Sequence, residues 1–151
     1  MTKPLKKFSE FLEEGIIRKQ FPDKERARFL INEAENSYQS LLEMIKKIEI
    51  NDKNANIFIK NSYDPIMELI RAILLIRGFN SSGSYAHEAE VAYLRELNFS
   101  EKEVQFANQL RFFRNGIMYY GTILKADYAL KVIDFVKKIY HRLRSLVISI
   151  D

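Results

Sequence analysis

The strongest constraint on this chain is a run of apolar residues spaced alternately four and three apart. Ala27, Ile31, Ala34, Tyr38, Leu41, Ile45 and Ile48 keep that alternation for about six turns. Only an α-helix brings such positions onto one face, and a stripe of this kind is a seam packed against other helices. Two more stripes share the period. Ile59, Ser62, Ile66, Leu69, Ile73 and Ile76 form one, and Ala129, Ile133, Val136, Tyr140, Leu143 and Val147 form the other. Around the first of these, Ile70, Leu74 and Leu75 make the second half of the segment apolar nearly all round, which predicts a central helix.

Punctuation between the stripes sets the expected boundaries. Leu5, Phe8, Leu12 and Ile16 predict an amphipathic first helix from Lys3 to Lys19, closed by Phe21-Pro22, with Asp23 capping the next. Asn51-Asp52-Lys53-Asn54 reads as a polar turn. The third helix is expected from Asn56 to Gly78, with Pro65 either kinking it or marking its first turn, in which case Ser62 or Asp64 is the cap. Phe79 to Gly83 reads as a loop, and Ser84 as the cap of a short helix from Tyr85 to Leu97. Ser100-Glu101-Lys102-Glu103 is a capping box, with Phe99 and Val104 at the staple positions, and starts a helix reaching Tyr120. The last helix is expected from Ala126 to Val147. With only five Gly and three Pro in 151 residues, the expectation is an all-α single domain over residues 1–151. Its architecture is expected to be an up-and-down helical bundle of four long helices plus one or two shorter ones.

Several classes are excluded or disfavoured. The absence of cysteine removes disulfides, thiolate zinc sites and cysteine nucleophiles, and fits a cytoplasmic protein. No apolar run is long enough for a membrane span, and the acids in MTKPLKKFSEFLEE argue against a signal peptide. No Glu-x-x-His pair, phosphate-binding loop or dinucleotide fingerprint is present, so no metal and no cofactor is expected. The net charge of +4 is concentrated between Gln105 and Ile150. Eight basic residues there (Arg111, Arg114, Lys125, Lys131, Lys137, Lys138, Arg142 and Arg144) face two acids, Asp127 and Asp134. That imbalance points to an anionic partner, with nucleic acid first, or to a solvated helix face.

Chemistry concentrates in LRFFRNGIMYYG, Leu110 to Gly121. Arg111, Asn115 and Tyr119 lie at i, i+4 and i+8 and share one strip, with Arg114 beside it; Phe106, Leu110, Phe113 and Ile117 form the opposite, core-facing stripe. Gly116 within this helix marks a close approach by backbone or ligand. His87 stands just beyond the Ser/Gly loop, where it can fold towards the motif as an acid–base group or act as a surface residue. His141 sits among lysines and arginines as part of the basic face.

Over roughly Asn61 to Tyr120 the chain resembles the HEPN superfamily of small helical domains. The shared features are the Arg-Asn pair, the apolar helix ending in Arg-Gly, and the Ser/Gly loop followed by a His and a short helix. Arg114 matches the family's motif Arg and Asn115 its polar neighbour, whereas the motif His falls at Tyr119, Tyr120 or Gly121, none of which is histidine. The resemblance implies a homodimer whose motifs meet at a cleft, and a possible minimal nucleotidyltransferase partner in a toxin–antitoxin pair. Active members use Arg and His in metal-independent RNA cleavage. A phenol with an ordinary pKa near 10 is a poor substitute for imidazole in proton transfer, so binding of RNA, nucleotide or a partner protein is expected over cleavage. The candidate binding residues are Arg111, Arg114, Asn115, Tyr119, Tyr120 and His87. A ribonuclease using His87 or Tyr119, and a purely structural interaction bundle, are the alternatives.

Overall fold

The computed structural model describes residues 4–150. These are mostly helical: α1 (Phe8–Glu13), α2 (Lys24–Lys47), α3 (Ala55–Ile76), α4 (Ala86–Ala92), α5 (Glu101–Tyr119) and α6 (Ala126–Ile150). A 3-10 turn at Tyr93–Arg95 follows α4, and a short antiparallel ribbon joins β1 (Ile17–Lys19) to β2 (Phe79–Ser81). No helix among the described residues is long and apolar enough to cross a membrane.

The helix α3 is buried along almost its whole length and packs against α2, α5, α4 and α6. Every residue of its stripe, and Ile70, Leu74 and Leu75 off it, is buried, as the sequence requires of a central helix. All six positions of the α6 stripe are buried too. In α2 the stripe is buried from Ala27 to Leu41; Ile45 is half-buried, and Ile48, the extended residue that follows the helix end at Lys47, is exposed. Tyr38 of α2 stacks on Tyr140 of α6 with ring centroids 3.8 Å apart, and Tyr140 donates its hydroxyl proton to Glu35.

The local signals hold where a cap is local. Asp23 accepts from the Arg26 amide at 3.1 Å. Ser100 and Glu103 make both arms of the capping box, at 3.2 and 2.9 Å, over buried Phe99 and Val104. The turn at Asn51–Asn54 is built by Asn51 Oδ1, which accepts from the amides of Lys53 and Asn54.

Four expectations need correction. The first helix stops at Glu13, because Gly15 adopts φ +76° and the Ile16 amide turns back to the Phe11 carbonyl at 3.1 Å. Ile17–Lys19 then leaves as strand, its buried Ile17 paired with Ser81; Lys3, the expected start of that helix, lies outside the described residues. Consequently Phe79–Ser81 is strand, not loop. Ser84 does not cap α4: its N-cap is Tyr85, with no side-chain bond, and the expected helix to Leu97 tightens into the 3-10 turn after Ala92. Pro65 lies in the interior of α3, so neither Ser62 nor Asp64 is a cap, and the Ser62 hydroxyl instead donates to the Phe58 carbonyl at 2.6 Å.

Distant side chains shape the end of α5 and the start of α6. Asn56 of α3 accepts from the Leu124 amide and donates to the Thr122 carbonyl, both at 3.0 Å, and Asp52 accepts from the Ala126 amide at 2.9 Å. Thr122 is drawn onto Gly116, whose carbonyl accepts from the Thr122 amide at 3.1 Å. A Cβ at position 116 would lie 2.5 Å from Thr122 Oγ1. The close approach that this glycine permits is thus made by the chain's own loop.

Candidate functional site

The polar interior lies where α3, α4 and α5 meet. Its base is Glu90 of α4, fully buried, which receives Arg71 Nε at 2.7 Å, a second Arg71 nitrogen at 3.0 Å and the Ser81 hydroxyl at 2.8 Å. A buried carboxylate is tolerable only with such compensation. Arg71 interrupts the apolar run of α3 for that purpose, and β2 supplies the third donor.

Above this pair stands Tyr63 of α3. Its hydroxyl and His87 Nδ1 are 3.3 Å apart, and the Arg114 guanidinium carbon lies 5.5 Å from the centre of its ring. Tyr63 therefore joins the two residues that the sequence placed on separate elements, His87 on α4 and Arg114 on α5. Burial pushes the Tyr63 hydroxyl far above its ordinary value, so it keeps its proton. His87 is pushed below 6.5, first by burial and then by the guanidinium groups of Arg71, Arg114 and Arg111, with Glu90 acting in the opposite direction. Its imidazole is neutral at pH 7 and can accept a proton or a hydrogen bond.

The arginines differ in how completely they are satisfied. Arg71 is locked to Glu90, as described. Arg111 reaches Asn108 Oδ1 at 3.0 Å, but its carboxylate partner Glu88 is 3.6 Å away. Arg114 is paired only loosely, with Asp64 at 3.8 Å, and its Nε is buried without a hydrogen-bond partner among the described residues. Both ion-pair separations exceed a good hydrogen bond. Arg111 and Arg114 thus retain donors for an incoming acceptor, and a planar guanidinium with free donors suits an oxyanion such as phosphate.

The structure brings Arg114 and His87 to Tyr63, with Arg111 on α5 beside Glu88 and Asn108. Asn115 is half-buried on the same helix. Tyr119 and Tyr120 stand out into solvent at the end of α5, 69% and 83% exposed, with Phe112, Met118 and Ile123 also exposed nearby in the chain. On the opposite side Phe106 and Phe113 are only partly buried; they close an aromatic cluster with Tyr128 and Phe135 of α6. Sequence reasoning missed Tyr63, Arg71, Glu90 and Asn108. The one signal for Arg71 was a charge inside an otherwise apolar helix; the others are defined by long-range packing.

The basic excess after Gln105 is partly neutralised. Arg142 meets Glu103 at 2.6 Å while lying over the Phe99 ring, and Arg144 approaches Glu35 at 3.6 Å. Lys125, Lys131, Lys137 and Lys138 have no ion pair among the described residues. His141 is exposed and sits edge-on to Tyr38 and Tyr140.

Comparison of the chain with family models, with curated proteins and with solved structures finds no match.

Proposed function

We propose that this protein binds a phosphate-bearing ligand, RNA or nucleotide, at the Arg111–Arg114–His87 cluster, as a HEPN-like helical bundle in which α2, α3, α5 and α6 are the four long helices. The observation that carries the reading is Arg114: its Nε is buried and has no partner among the described residues, and its carboxylate neighbour is out of hydrogen-bond range. Leaving such a donor unsatisfied costs about 1–3 kcal/mol or more. With the Arg114 side chain 19% exposed, a small turn of the guanidinium towards a bound oxyanion would recover it. Arg111 adds a second guanidinium, and neutral His87 adds a hydrogen-bonding group without further charge. The lysines of α6, without an ion pair among the described residues, supply a diffuse attraction for the rest of a polyanion.

The test is fluorescence anisotropy with a labelled single-stranded RNA of about eight nucleotides. Binding is expected to weaken steeply between about 50 and 200 mM salt, and Arg114→Ala is expected to cost at least about tenfold in affinity. Salt-independent binding, or an Arg114→Ala variant that binds like the wild type, refutes the assignment.

A second reading is a metal-independent ribonuclease, favoured by the position of His87. A neutral imidazole can take the proton of a ribose 2′-hydroxyl as that oxygen attacks the adjacent phosphorus; the P–O5′ bond breaks, the 5′-oxygen takes a proton from water and leaves as a hydroxyl, and a 2′,3′-cyclic phosphate remains. RNA incubated with pure protein and a chelator distinguishes the two. Cleavage lost in both His87→Ala and Arg114→Ala establishes the enzyme; intact RNA leaves binding alone.

A further inference from the structure

Next to the arginine cluster, an open cleft of about 590 Å3 separates the N-terminal segment at Pro4–Lys6 from α4 and α5. Its volume falls within the ~300–1,000 Å3 of small-ligand sites. Tyr85 and Phe112, both solvent-exposed aromatics, line it together with Glu88, Asn108 and Arg111. Asn108 is 2% exposed and commits its Oδ1 to Arg111 Nε, which fixes that guanidinium at the cleft wall. The neighbouring Lys6 and Glu14 are paired to each other at 2.7 Å, so the charged groups left for a ligand in the lining are Arg111 and Glu88.

We infer that this cleft takes an unpaired guanine base; the inference rests on the RNA or nucleotide reading of the adjacent arginines and names the ring that reading leaves unspecified. The chemistry is one of edges. A carboxylate has two acceptor oxygens, and guanine alone among the common bases offers two adjacent N–H donors, N1–H and N2–H2, to match them. The ring's O6 acceptor lies immediately beside N1–H. A guanidinium next to the carboxylate is therefore placed for O6, as arginine is for guanine elsewhere. Arg111 Nη1 and Glu88 Oε1 stand 3.6 Å apart, side by side but not locked together. Adenine presents the opposite pattern at this edge, and uracil and cytosine lack the paired donors. Tyr85 and Phe112 supply aromatic surface for the ring, and such stacking is tolerant of sequence, so discrimination falls to Glu88 and Arg111.

The experiment compares two labelled single-stranded RNAs by anisotropy: an oligouridylate of about eight nucleotides and the same strand with one central guanosine. The guanosine is expected to tighten binding by about tenfold. In Glu88→Gln that ratio is expected to fall below about threefold, and Phe112→Ala is expected to reduce it as well; both positions are at the surface, and circular dichroism checks the fold. Displacement of the guanosine strand by free GMP, or by guanosine-containing strand alone, both support the site and distinguish a free nucleotide from a strand. Equal affinity of the wild type for the two strands overturns the guanine assignment, while loss of both in Arg114→Ala leaves the phosphate reading standing. Absence of binding to either strand overturns both.

Discussion

Glu90 is the residue whose replacement tests the architecture of the site most directly. Its carboxylate is fully buried and receives three donors, two from Arg71 and one from Ser81. Glu90→Leu keeps the volume close but leaves the Arg71 guanidinium without its counter-charge. Breaking a buried pair from one side costs about 3–5 kcal/mol. The Arg71 side chain is 28% exposed, so water hydrates part of the stranded charge, and the lower end of that range applies, about 3 kcal/mol. In a domain of this size each kcal/mol moves Tm by about 2–4 °C, giving a fall of roughly 6–12 °C. Urea unfolding should show the loss as a lower midpoint with an unchanged slope. The double variant Arg71→Met/Glu90→Leu removes both charges and is expected to recover most of the stability, because a buried pair is replaceable by apolar packing. A single variant that loses less than about 1 kcal/mol, or a double variant no more stable than the single, would refute the view that this pair is mutually dependent.

Other consequences are equally measurable. The His87 imidazole should titrate below 6.5 by NMR, and Arg114→Ala should raise its midpoint; since its charged form is disfavoured in the fold, the stability tied to it is complete above 6.5 and is lost as pH falls below it. Glu101, held at about 2 by its bond to Arg95 against an ordinary value of 4.5, contributes stability above about 4.5 that fades towards 2. The Glu101 carboxylate is solvent-exposed, so Glu101→Gln should lower Tm only slightly at neutral pH and converge with wild type near pH 2. Gly116→Ala should destabilise despite the helical preference of alanine worth about 1 kcal/mol, because its Cβ would strike Thr122; adding Thr122→Ala, which removes the hydroxyl at 2.5 Å but keeps a Cβ at 3.1 Å, should recover part of the loss in thermal melts. Sedimentation of the wild type at tens of micromolar should give a dimer, and Tyr119→Glu/Tyr120→Glu should shift it to monomer; a wild-type monomer removes the shared-cleft expectation.

What was legible in the sequence was what neighbouring residues decide. The Ser100–Glu103 box closes within three residues, and the stripe from Ala129 to Val147 needs only a core on one side, so both could be read directly. The misreading of Ile16–Lys19 as helix has a different origin. Their pairing partners, Phe79–Ser81, are some sixty residues away, and nothing local announces the ribbon. The site divides the same way. Arg111, Arg114 and His87 were recognisable as chemistry-bearing types, but the residue that joins His87 to Arg114, Tyr63, is one of many aromatics in the sequence until α3, α4 and α5 pack. Asp52 and Asn56, which hold the chain between α5 and α6, were read as turn and helix-start residues for the same reason.

The two-stranded ribbon carries a consequence for the order of assembly. It can close only after α2 and α3 have formed the hairpin that returns Phe79 to Ile17, and the Gln20 amide then clasps the Gly78 carbonyl at 2.9 Å. Such a closure gains little until the intervening helices have ordered their own contacts. Ser81, on that ribbon, supplies the third bond to Glu90. The polar cluster is therefore finished late, after the apolar seam that surrounds it, and a nascent chain would carry a folded helical hairpin before it carried a competent site.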